Sequence, residues 1–112
     1  MKQQHKITPV YYNVEDIGKN IKQTKKRFTW ILEMNQKMYT FVLDASMISG
    51  KVKLTCNNQI VAMSEEQTLG TFSHTMLLDT YQIVIMAVGE NYEMRINNQV
   101  FSHLLNQIKT KT

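Results

Sequence analysis

From Phe28 onward the chain alternates apolar and polar residues with a period of two. That is the spacing of a strand with one buried face. Phe28, Trp30, Leu32 and Met34 share one face, and Thr29, Ile31 and Glu33 share the other. Asn35-Gln36-Lys37 forms a tight polar break, and Met38 to Asp44 resumes the alternation. There Tyr39, Phe41 and Leu43 point one way, and Met38, Thr40 and Val42 the other. Ala45 to Gly50 is a loop ending in Ser-Gly, a turn signal. Lys51 to Cys56 alternates charged or polar with apolar residues, and Asn57-Asn58-Gln59 turns the chain into Ile60 to Met63. After the polar stretch Ser64 to Gly70, four more strands are predicted: Thr71 to Leu78, Tyr81 to Val88, Tyr92 to Asn97 and Val100 to Leu105.

About eight short strands at regular spacing, with hairpin-like turns and no crossover helices, predict an all-β fold. The expected form is a compact antiparallel β-sandwich, with a small barrel as the nearest alternative. Residues 28–106 are assigned to this domain and 107–112 to a flexible tail. Residues 1–27 differ in composition and are read as a polar N-terminal arm. Two local patterns compete inside it. One is a short helix capped by Asn13, with Val14, Ile17 and Ile21 as a stripe and Gly18 weakening it. The other is an extended run through Val10-Tyr11-Tyr12.

The sequence also echoes itself. Cys56-Asn-Asn-Gln-Ile-Val61 resembles Ile96-Asn-Asn-Gln-Val-Phe101. Reuse of one hairpin solution explains this better than a repeat architecture, since two copies do not make a solenoid.

At 112 residues and 43% hydrophobic composition, one core in one domain is expected. Cys56 is the single cysteine and lies in the apolar alternation Val52, Leu54, Cys56. A reduced core thiol, and so a reducing compartment, follows. No apolar run has signal-peptide or membrane-span length; the longest is Ile83 to Val88. A cytoplasmic location is expected, either free or within a cytoskeletal, ciliary or organellar complex. The net charge of +4 gathers at Lys19, Lys22, Lys25, Lys26 and Arg27. Only Arg27 and Arg95 are arginines, the better readers of phosphate and bases, so nucleic acid is a weak expectation.

Candidate chemistry is sparse. His5, His74 and His103 are far apart and lack metal-ligand spacing. Ser73-His74 with Asp79 lacks a nucleophile elbow. The four glycines are isolated, so no phosphate-cradling loop exists. Glu65-Glu66 reads as loop charge, and the eight methionines read as core filling. No catalytic residue, cofactor or metal is assigned, and the chain is expected not to be an enzyme.

Several segments carry a family resemblance. Phe28-Thr-Trp-Ile-Leu32 followed by Val42-Leu-Asp44 resembles the opening of the domain in Fas apoptotic inhibitory molecule, where a T-W-x-L strand leads into V-L-[ED]. Leu54 to Gln59 is similar to that family's Cys-Asn-Gly turn. Gly70 to His74 is similar to its T-x-F-S strand. Tyr81-Gln82-Ile83 and Arg95 to Val100 are similar to its later strands. The resemblance spans roughly residues 28–103. It implies a compact antiparallel sandwich without enzymatic activity, linked to death-receptor signalling and to protection against aggregation. Family members carry two such sandwich halves, and this chain has room for one. Their turn glycines are replaced here by Asn58-Gln59 and Asn98-Gln99, and residues 1–27 match nothing in the family.

The expected function is therefore a non-catalytic protein-binding module, a small structural or accessory subunit of a larger protein assembly. A soluble anti-apoptotic or anti-aggregation regulator is one alternative. A nucleic-acid-binding small β-barrel using Tyr39, Tyr81 and Tyr92 as stacking platforms is another. The candidate partner-binding residues are Tyr11, Tyr12, Lys22, Lys25, Lys26 and Arg27 in the N-terminal arm.

Overall fold

The computed structural model describes residues 6–65 and 70–110. Its elements in chain order are β1 (Ile7–Asp16), a 3-10 turn (Lys22–Thr24), β2 (Lys25–Met34), β3 (Lys37–Ser46), β4 (Val52–Cys56) and β5 (Gln59–Ser64). They continue with β6 (Ser73–Leu78), β7 (Tyr81–Val88), β8 (Asn91–Ile96), β9 (Gln99–Val100) and the helix α1 (Phe101–Thr110). Two antiparallel meanders result, one of order β1-β2-β3-β4-β5 and one of order β6-β7-β8-β9.

The period-two pattern dictates which faces meet. Phe28, Trp30, Leu32, Phe41, Leu43 and Leu54 of the first sheet are buried with Ile83, Ile85 and Met94 of the second in one cluster. Rings tie the two layers together. Phe28 meets Tyr92 edge-on at 5.3 Å between centroids and stacks on Trp30 at 6.0 Å. Each such ring pair contributes roughly 0.5–1.5 kcal/mol beyond area burial.

Tight turns explain the short connections. Asn35-Gln36, Asn57-Asn58 and Asn97-Asn98 all have positive φ at both positions. That is the backbone of a two-residue hairpin whose twist matches its strands. Asparagine tolerates this region where β-branched residues do not.

Two expectations are revised. Residues 7–16, read as part of a polar arm, form the edge strand β1, paired along its length with β2. No helix forms at Asn13. The alternation was hidden because a bulge between Pro9 and Tyr11 shifts its phase. Ile7 and Pro9 are buried on one side of that bulge, and Tyr12 faces the same core on the other. The predicted final strand, Val100 to Leu105, is a strand only at Gln99–Val100 and then becomes α1. Phe101 and Leu105 fit a period of two and also a period of 3.6. Leu104 and Ile108 fit only the helix, and Phe101 and Leu105 are buried by it while Leu104 packs half-buried against the core. α1 packs against β1, β8 and β9, closing one flank of the sandwich.

Candidate interaction surface

The six residues proposed for partner binding do not form one patch. Tyr11 and Tyr12 are neighbours on β1 and therefore face opposite sides of the sheet. Tyr11 is exposed, while Tyr12 is half-buried and stacks on Trp30 at 6.0 Å. Burial raises the Tyr12 phenol above its ordinary value, and nearby Glu93 adds to this. Lys22 and Lys25 are exposed, and Lys26 is half-buried opposite Asp16 and Ala45.

Arg27 has a structural role. Its Nε and Nη2 donate to Asp44 Oδ1 and Oδ2 at 2.8 and 3.1 Å, a bidentate pair. That hydrogen bonding raises the guanidinium pKa further and offsets the cost of burying Asp44. The register extends the pair into a row of alternating sign, Glu15–Arg27–Asp44–Lys53, across four strands. Opposite charges facing each other across strands stabilise a sheet modestly and specify its register.

A different surface stands out at the other edge of this sheet. β5, Gln59–Ser64, carries no charge and no proline, and among the described residues its one strand partner is β4. A bulge at Val61 sets Ile60 opposite Thr55 and Met63 opposite Lys53. Both therefore lie on the outer face, although an unbroken alternation would send them to opposite sides. They are 58% and 56% exposed. β1, by contrast, is blunted by Pro9, a bulge and the packing of α1. The absence of charge in Gln59–Ser64 was readable in the sequence, but its edge position and its bulge were not.

The chemistry-bearing residues remain dispersed. His74 is half-buried on β6, His103 is exposed on α1, and His5 lies outside the described residues. Cys56 is half-buried, and desolvation raises its thiol pKa although Lys37 pulls it down. Among the described residues no three His, Cys, Asp or Glu side chains could share a metal ion. A cleft of about 490 Å³ is walled by Ile7, Pro9, Ile96, Leu104 and Ile108. Its walls offer no carboxylate or imidazole for proton transfer. No described helix is long and apolar enough to cross a membrane.

No protein-family model, no curated protein and no solved structure matches this chain.

Proposed function

We propose that this chain is a non-catalytic protein-binding module, a small structural or accessory subunit of a larger protein assembly, that docks a partner along β5. The observation carrying this reading is the uncharged, proline-free edge with Ile60 and Met63 on one exposed face. Along Gln59–Met63 an edge of this kind can take up a partner strand through its backbone N–H and C=O groups. The rigid two-layer core holds that edge in place at no further ordering cost.

Affinity purification of the tagged chain from its own cells, followed by size exclusion, tests the reading. Elution in a large stoichiometric assembly is expected, with Ile60→Lys releasing the protein from it. Elution of the unaltered chain as a monomer without partners counts against it.

A soluble regulator similar to Fas apoptotic inhibitory molecule is the second reading. It rests on the resemblance of the segments between residues 28 and 103, Phe28 to Leu32, Val42 to Asp44 and Leu54 to Gln59 foremost. The nucleic-acid reading is weakened. The two sheets do not close into a barrel, Tyr92 is buried, and Tyr39 and Tyr81 pack half-buried against the core.

A further inference from the structure

The two ends of the sandwich are built differently. One end carries the three tight asparagine turns. The other carries longer connections, 17–24 between β1 and β2 and 47–51 between β3 and β4. Both are held by their own hydrogen bonds. In the first, Ile17 N–H donates to Lys25 O at 2.8 Å and Gly18 N–H to Lys22 O at 3.0 Å. The Thr24 hydroxyl donates to Ile21 O at 2.7 Å. A Cβ at Gly18 would collide with the Ile21 carbonyl and the Thr24 hydroxyl, so only glycine closes this loop. In the second, Ser46 Oγ accepts from the N–H groups of Ile48 and Ser49 at 3.3 and 3.0 Å. The two loops are joined where Met47 N–H donates to Thr24 O at 2.8 Å.

This ordered, mutually braced pair presents one large apolar side chain from each loop. Ile21 is 63% exposed and Ile48 is 76% exposed. A single exposed isoleucine needs no explanation. Two on loops joined by a hydrogen bond, in positions that contribute nothing to the core, do. Lysines surround them: Lys19, Lys22, Lys25 and Lys51 are all exposed. Lys51 lies 3.9 Å from exposed Glu65. Lys19, Lys22 and Lys25 form no ion pair with any described carboxylate.

We propose that this loop end docks on an anionic lipid bilayer, with Ile21 and Ile48 entering the interfacial zone and the lysines held at the headgroup phosphates. Lysines near an anionic leaflet are attracted to it, and their long stems lie along apolar surface while the ammonium stays wet. A protein interface is the poorer fit, because lysine is depleted from such contacts. Nucleic acid fits worse still, because isoleucine has no π face on which a base can stack. Asp16 and Glu90 lie at the same end, lining a cleft with Lys26, so charge alone gives weak attachment. The isoleucines supply the rest. This surface meets the β5 edge at one end, where Met63 shares a cleft with Lys25 and Lys51, but it does not depend on that edge's role.

The test is sedimentation of the full chain with vesicles of phosphatidylcholine alone and of phosphatidylcholine with phosphatidylserine at roughly 2:1. Binding to the anionic vesicles alone is expected, falling as salt screens the lysines. Ile21→Ser combined with Ile48→Ser lowers that binding by roughly tenfold or more. Its melting temperature stays unchanged because both side chains are exposed, whereas Ile60→Lys leaves vesicle binding intact. Absence of binding to anionic vesicles at low salt overturns the proposal. So does binding that survives loss of both isoleucines. Capture of a single-stranded oligonucleotide in preference to vesicles, indifferent to the isoleucines, would assign the lysines to nucleic acid instead.

Discussion

Asn57 Oδ1 accepts a hydrogen bond from the backbone N–H of Thr40 at 2.8 Å, and Asn57 N–H returns one to Thr40 O at 2.9 Å. A turn residue between β4 and β5 thus extends the ladder onto β3. Asn97 repeats the arrangement on Gln82, with both bonds at 2.9 Å. The echo between Cys56–Val61 and Ile96–Phe101 is therefore a shared mechanical device: each sheet uses the first asparagine of a hairpin turn to extend the ladder with the neighbouring strand.

The two asparagines of one turn should respond oppositely to substitution. Asn58 has φ of 68° and makes no side-chain hydrogen bond among the described residues. Asn58→Gly relieves left-handed strain and stabilises by up to about 1 kcal/mol. Asn57→Ala keeps a side chain at φ 50° and loses the Thr40 bond, so it destabilises by roughly 1–3 kcal/mol. Urea unfolding of both variants checks this. Equal effects of the two would remove the ladder-extending role of Asn57.

The Arg27–Asp44 pair should matter more through Asp44 than through Arg27. Only about a tenth of the Asp44 side chain meets solvent, against 42% for Arg27. Arg27→Ala leaves a buried carboxylate without its bidentate partner and costs about 2 kcal/mol. Arg27→Lys recovers only part of that, because an ammonium cannot make the two parallel bonds. A melting-temperature series across the three proteins reads the order directly. Full recovery by lysine would mean that the geometry of the pair contributes nothing.

Alkaline pH should weaken the fold through two phenols. Burial raises both Tyr12 and Tyr92 above the ordinary 10.0. Above pH 10 the unfolded chain releases these protons while the folded chain retains them, so stability declines as pH rises further. Their contribution is fully present below pH 10. Phenolate absorbance should show two tyrosines titrating late and together with unfolding, whereas Tyr92→Phe removes one of them. All five tyrosines titrating together below the unfolding transition would contradict this.

α1 should behave as part of the core. Phe101 and Leu105 are 1% and 7% exposed, and the helix packs on β1, β8 and β9. Leu105→Ala should cost about 2–5 kcal/mol, whereas Asn106→Ala on the exposed face should change stability by under about 0.5 kcal/mol. Calorimetry on the pair distinguishes a packed helix from a frayed tail.

Much of this was legible because strand faces follow a period of two. Phe28, Trp30, Leu32 and Met34 announced their shared face, and that face is the buried one. The Asn-Asn and Asn-Gln dipeptides announced turns, and they carry positive φ. The errors occurred where that period is interrupted or ambiguous. The bulge at Pro9/Tyr11 splits β1 into two half-strands of opposite phase, neither long enough to register alone. The bulge at Val61 brings Ile60 and Met63 to one face. Phe101 and Leu105 satisfy both strand and helix spacing, and Leu104, packed half-buried against the core, decides between them.

The sequence by itself determined the all-β class, the inward face of each regular strand and the turns, because these depend on local spacing and on backbone sterics that each residue carries with it. Only the tertiary structure decided that Ile7–Asp16 is an edge strand, that β5 stands open, and that the loops bearing Ile21 and Ile48 are braced together at one end. Edges and shared ends are relations between segments far apart in the chain. They exist only once the sheets have stacked, since it is the neighbour a strand lacks, and the loop it meets, that make a surface available for binding.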